Sequence, residues 1–323
     1  MEIEAFAAII AGNDPVSESI DRIGDLDGYL FTGSPQPEKG FHFGYFFYLP
    51  TVLRKQPVLI VEGPAVGEVG SLPKACEFVR KKAVFEISAG GFPHALAREL
   101  GCPVMMPLFP RPEDEENNIF THALTSKAMA VSDPALARVD LQLIAMFQDI
   151  RSRFAQAGIW LYDKFIVKGF SVGGVFAHRF TLLHPQYLLA AVGGGNMHSP
   201  TLPLRTYQNE ILIWPNGMGN TDCYCDFDYE SYREVRQLFY MGDQDFNDNV
   251  PYADSYTEEE RQQVYRLFGK VAMPDRWDLY QRLVSELNLY NILCRTDPGM
   301  DHQPSAKIRE YIISFLKDVL SDI

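Results

Sequence analysis

The chain has 323 residues, 46% hydrophobic and 22% charged, with 29 basic against 42 acidic side chains and a net charge of −13. That balance supplies ample core for a globular protein, and its dispersed acidity opposes nucleic acid and anionic membranes by repulsion. The five cysteines form no legible disulfide framework, Met1-Glu2-Ile3-Glu4 carries acid where a signal peptide needs base, and no apolar run nears the ~20 residues of a membrane span, which together predict a cytoplasmic protein.

Residues 1–27 read as a short acidic helix and a loop. Gly28–Gly33 and Phe41–Pro50 read as strands joined by the Pro/Gly-rich Ser34–Gly40, an antiparallel hairpin that completes an N-terminal arm over 1–50. Pro57–Gly63 is a continuous apolar run, the mark of a strand buried on both faces. A helix over 71–82, a strand at Ala83–Ser88, a helix near 92–100 and a strand at Val104–Pro110 follow. After an acidic loop at 111–120, a long amphipathic helix covers about 136–157. Strands are then expected at Phe165–Phe170, Leu188–Val192, Val235–Met241 and Leu289–Cys294, and a closing helix at about 305–320 starts from Pro304-Ser305.

Strands alternating with helices predict an α/β fold, a mostly parallel central sheet with helices on both faces and the hairpin at one edge. No repeat or linker divides the chain, so 1–323 reads as one domain. Two long interruptions, 196–231 and 249–287, follow predicted strands on the side where such sheets bind ligands. They are the candidate lid or cap segments.

The stretch with the clearest chemistry is Phe165-Ile166-Val167-Lys168-Gly169-Phe170-Ser171-Val172-Gly173-Gly174. An apolar strand pattern leads into G-x-S-x-G and then a helix pattern. A serine on so sharp a turn holds strained backbone angles, and glycines two residues to either side remove the side chains that would collide. Its Oγ is thereby pushed clear of the sheet near the positive end of the helix.

Such a serine needs a base, and the base an acid. Of the seven histidines, His42, His94 and His122 precede the serine, His178 lies on its own helix, and His184 reads as a helix C-terminal cap. His302 lies in a loop after the last strand and before the last helix, placed to reach a neighbouring strand's end; His198, in a loop after a strand, is the second candidate. For the acid, Gly242-Asp243-Gln244-Asp245-Phe246-Asn247-Asp248 follows a strand and offers three carboxylates. Asp243, Asp245 and Asn247 also match the first positions of a calcium loop, but Asp248 and Asp254 stand where that loop needs glycine and glutamate. Cys223-Tyr224-Cys225 has no second pair at zinc spacing. No metal is expected.

Taken in order, Gly169–Gly174, Gly242-Asp243-Gln244-Asp245 and Gly299-Met300-Asp301-His302 resemble the α/β-hydrolase superfamily, with its order Ser, Asp, His. The resemblance runs over residues 57–323. It implies Ser171 as nucleophile, His302 as general base and Asp245 as the acid. It also implies Val172 N–H as one oxyanion donor. A second donor would come from Gly91 or Phe92 in Ser88-Ala89-Gly90-Gly91-Phe92, with Gly63-Pro64-Ala65-Val66-Gly67 as the alternative loop. Ser171 to Phe180 with His184-Pro185 is also similar to polyester-depolymerase-like esterases. The implied function is hydrolysis of a small-molecule carboxylic ester through an acyl-enzyme, with no organic cofactor. The aromatic-rich interruptions suggest an apolar acyl or aryl group in the substrate. A thioesterase or peptidase shares the same triad, and a binding protein can share the fold without turnover.

Overall fold

Val58–Val61 and Phe165–Val167 have no polar face, and they end where such runs must, inside a sheet covered on both sides. A computed structural model describes residues 21–22, 28–63, 70–88, 91–112, 123–197, 199–247 and 255–323. Its first elements are β1 (Asp21–Arg22), β2 (Tyr29–Gly33), β3 (Tyr45–Leu49), β4 (Ile60–Glu62), α1 (Leu72–Ser88), α2 (Phe92–Leu100) and β5 (Val104–Pro107). Then come α3 (Ser126–Met129), α4 (Val139–Gln156), β6 (Phe165–Phe170), α5 (Val172–Leu183) and β7 (Leu188–Gly194). The remainder is β8 (Thr206–Tyr207), β9 (Glu210–Ile211), α6 (Tyr229–Glu234), β10 (Arg236–Gly242), α7 (Glu258–Phe268), α8 (Met273–Glu286), β11 (Ile292–Asp297) and α9 (Ala306–Ser321). Apart from β1, the helix and loop expected over 1–27 lie outside the described residues.

Nine of these strands form one sheet in the order β1-β2-β3-β5-β4-β6-β7-β10-β11. Pairing is antiparallel from β1 through β2 and β3 to β5. It is parallel from β5 through β4, β6, β7 and β10 to β11. The mostly parallel sheet and the edge hairpin are therefore as expected. From β4 the chain steps one way to β5 and then the other way to β6, so β4 and β6 flank the point where the winding reverses. Ligand crevices open outside the carboxyl ends of strands at such a point.

Successive strand residues feed opposite cores. Ile60, Ile166 and Leu238 face a layer containing α1, α2 and α9, while Val61, Val167 and Phe239 face one containing α4, α5 and α8.

The strand expected at Ala83–Ser88 does not form; those residues are the last turns of α1. Ala75, Val79, Ala83 and Ile87 are buried at four-residue spacing, whereas Val84 and Phe85 are exposed. That is a helical stripe, and Lys82 lies 3.9 Å from Glu86 on the next turn. β11 also begins later than expected. Asn288 takes a left-handed conformation (φ 55°), and Leu289 N–H donates to Val284 O at 3.0 Å, so Leu289–Asn291 close α8 with a turn.

Within the second interruption, α8 is the crossover helix between β10 and β11: Trp277 and Tyr280 are buried, Tyr280 meets Phe239 edge-on at 6.2 Å, and Trp277 Nε1 donates to Thr296 Oγ1 at 2.9 Å. The first interruption is tied to α7, with Asn216 Nδ2 donating to Glu260 O at 2.9 Å and Ile213 N–H to Gln263 Oε1 at 3.0 Å. Arg179 on α5, fully buried, fastens both to the sheet by donating to Ala123 O, Ser199 O and Tyr256 Oη.

Candidate active site

A single residue separates β6 from α5. Ser171 has φ 57° and ψ −124°, a conformation that costs a non-glycine residue on the order of 1–3 kcal/mol. Two backbone bonds hold it there: Ser171 N–H donates to Gly194 O at 2.8 Å, and Val175 N–H donates to Ser171 O at 3.0 Å. The glycines answer the need for space. A Cβ on Gly169 would lie 2.2 Å from the carbonyl carbon and oxygen of Gly173, and one on Gly174 would lie 2.6 Å from Gly194 O. Any side chain at 169 would force β6 and α5 apart. Val172 is thus the first residue of α5, where a backbone N–H has no partner within the helix.

His302 is carried by the loop between β11 and α9, and that loop is bolted to the one after β10. Gly299 N–H donates to Asp243 Oδ1 at 2.7 Å, and Gln244 N–H donates to Met300 O at 2.9 Å. Even a Cβ on Gly242 would meet Met300 O at 2.1 Å. At the far end Asp297 accepts from the Ser305 N–H (2.8 Å) and hydroxyl (2.7 Å), while Ser305 caps α9. The fastening brings His302 Nδ1 to 2.9 Å from Asp245 Oδ2 and 3.1 Å from Oδ1. Asp245 is fully buried. The imidazole rests on Phe170, the residue before Ser171, at 4.8 Å between ring centres, and its Cε1 lies 3.1 Å from where a Gly195 Cβ would stand. Among the described residues no hydrogen bond joins Ser171 Oγ to His302. Such bonds are commonly long before substrate binds.

The remaining described histidines have other occupations. His184 Nε2 lies 2.7 Å from Asp140 Oδ2, and Arg138 reaches the same carboxylate at 2.7 Å. Burial alone would push the Asp140 carboxyl up, but the bonds to His184 and Arg138 outweigh it and hold it below its ordinary range. His94 is buried in α2 against Tyr48, and His42 lies before β3, where its backbone N–H donates to Gln142 Oε1. His122 and His198 lie outside the described residues.

Burial, reinforced by the Arg179 charge, pushes the His178 imidazole down to about 3. An unfolded histidine takes up a proton near pH 6.5, so His178 stabilises the fold fully above that pH. The contribution falls by about 1.4 kcal/mol per pH unit as acid is added towards pH 3. His178→Phe is expected to flatten the decline of Tm between pH 6 and 4. An unchanged slope would show that other groups set the acid sensitivity.

The expected oxyanion residues divide. Gly91 N–H donates to Glu86 O at 3.1 Å, closing α1, so it has no hydrogen left for a substrate oxygen. Phe92 opens α2, where its N–H lacks an intrahelical partner. Neither follows a strand, because the segment before them is helix. Gly63, at the head of the alternative loop, lies against the elbow: a Cβ there would be 2.8 Å from Gly173 O. Residues 64–69 lie outside the described residues.

Asp243 and Asp245 are engaged with Gly299 and His302 as described, while Asp248–Asp254 lie outside the described residues. No group of three or more metal-ligating side chains gathers among the described residues. Burial pushes the Cys225 thiol up to about 11, away from the thiolate a metal needs.

Sequence reading missed two charges inside the apolar runs, Glu62 and Lys168, which pair beneath the elbow at 2.7 Å. A lysine within Phe-Ile-Val-Lys-Gly-Phe was the available signal.

No family model matches the chain, and no curated relative does. Solved structures do. Poly(aspartic acid) hydrolase-1 from Sphingomonas sp. KT-1 superposes with a TM-score of 0.54 at 16% identity, covering 89% of this chain and 96% of its own. The chain has the α/β-hydrolase fold. A poly(3-hydroxybutyrate) depolymerase from Bordetella parapertussis has the same α/β-hydrolase arrangement, with a TM-score of 0.51 at 16% identity over 90% of this chain and 95% of its own. In this chain the strained serine stands at the sheet's winding reversal, and the His–Asp pair stands at the carboxyl ends of β10 and β11.

Proposed function

We propose that the protein is a serine hydrolase that cleaves a carboxylic ester through an acyl-enzyme. The observation that supports this most is the His302–Asp245 pair seated on Phe170, directly before the strained Ser171. In this reading Ser171 Oγ bonds to the ester carbonyl carbon as its proton passes to His302 Nε2. Asp245 accepts the Nδ1–H throughout, fixing the tautomer and stabilising the imidazolium. Val172 N–H donates to the carbonyl oxygen as it becomes negative, and Phe92 is the member of the expected donor pair whose N–H is uncommitted. Collapse breaks the ester C–O bond, and the alcohol leaves with the proton from Nε2. Water then attacks the acyl carbon, giving its proton to Nε2, and the acid departs as Ser171 is restored.

Phe246, which follows Asp245 in the chain, is 53% exposed, and an apolar acyl or aryl substituent is the substrate class proposed. Among the described residues no helix is long and apolar enough to cross a membrane.

The direct test is a fluorophosphonate probe followed by peptide mass spectrometry. The adduct is expected on Ser171 of the folded protein and on no peptide after denaturation. A folded protein left unlabelled at Ser171 would overturn the proposal.

A further inference from the structure

Glu62 and Lys168 are register partners at the ends of β4 and β6, and Lys168 Nζ lies 2.7 Å from both carboxylate oxygens of Glu62. They are only 8% and 3% exposed, within strands that are otherwise apolar. Stability does not explain them, since apolar residues of similar volume commonly serve as well or better than a buried ion pair. Their position is more telling. Lys168 stands three residues before Ser171, and the backbone repeats its link to β4, with Gly63 N–H donating to Lys168 O.

Every element packed around the pair contributes to a fitted enclosure. Phe92 of α2 places its ring 5.0 Å from Lys168 Nζ, and Arg309 of α9 lies 5.7 Å from the same ring. Glu86 of α1, itself paired with Lys82, and Tyr240 of β10 face Glu62, with Asp297 of β11 beyond Tyr240. Two residues along β6, on the same face as Lys168, Phe170 stacks on Tyr240 at 6.1 Å and supports His302.

We infer that Glu62 and Lys168 are positioning residues that lock the end of β6 against β4 and so fix where Ser171 and, through Phe170, the His302 ring stand. The inference rests on Ser171 being the nucleophile. A salt bridge holds the two strand ends to a single separation, whereas methyl and methylene contacts tolerate sliding. A displacement of about 1 Å at a nucleophile can cost 10²-fold in rate.

The test uses the full chain carrying Glu62→Met and Lys168→Met together, so that volume is kept and no charge is left unpaired. Tm at or above wild type is expected, with KM for p-nitrophenyl acetate unchanged. By contrast kcat and the rate of fluorophosphonate inactivation should each fall at least about tenfold. Should the double variant not fold, Glu62→Gln keeps the shape and is expected to show the same split. Wild-type kcat in the folded variant sinks the positioning role alone. A wild-type protein that takes no probe at Ser171 removes the nucleophile, and this inference goes with it.

Discussion

Ser171→Ala is expected to lower kcat for p-nitrophenyl esters by roughly 10⁴-fold or more while leaving substrate binding nearly unchanged. The size follows from chemistry: without Oγ no acyl-enzyme forms, and only oxyanion stabilisation and binding remain. The substitution keeps Cβ and therefore keeps the strain at φ 57°, so Tm should hardly move. Loss of turnover would then report chemistry and not unfolding. An acetate-to-decanoate series run beside the variant would size the acyl pocket of the proposed site in the wild-type protein. Turnover that persists in the variant would place the nucleophile elsewhere.

Asp245→Asn is the second large effect, with an expected fall in kcat of about 10²–10⁴-fold. An asparagine would present an amide nitrogen to Nδ1 or hold the ring in the wrong tautomer, and it could not stabilise the imidazolium. The control is close at hand. Asp243 stands two residues away, carries the same carboxyl group, and accepts the Gly299 N–H at 2.7 Å and the Gln244 Nε2–H at 3.4 Å, tasks an asparagine side-chain oxygen can perform. Asp243→Asn is therefore expected to cost less than about tenfold, within what the loss of one charge-assisted hydrogen bond supplies. Equal effects from the two variants would show that the loop needs charge and not a particular partner for His302. A reversed ranking would make Asp243 the acid.

What could be read from the residues followed from local constraints. The elbow at Ser171 was legible because strain confines the choice of residues at 169 and 173, and because Phe165–Val167 are apolar on both faces. His302 and Asp245 were legible as loop residues at strand ends, the second with help from a family resemblance. The error at Ala83–Ser88 has a physical origin: Val84, Phe85 and Ile87 carry strand-like composition, but only Ile87 faces the core. Propensity pointed one way and the four-residue burial stripe the other, and packing decided. The Glu62–Lys168 pair was out of reach for a different reason. Its members are 106 residues apart, and only strand register, which no local pattern encodes, makes them neighbours.

Ser171 and His302 follow strands with unequal protection. β6 has hydrogen-bonded neighbours on both sides, deep within the sheet, whereas β11 is its last strand. Among the described residues no strand pairs with the outer flank of β11. Local opening at such an edge needs less free energy than global unfolding. Amide hydrogens of Ile292–Asp297 should therefore exchange with solvent sooner than those of Phe165–Gly169. On warming, the proposed activity should then be lost while most of the sheet is still intact, its lifetime set by the rim and not the centre.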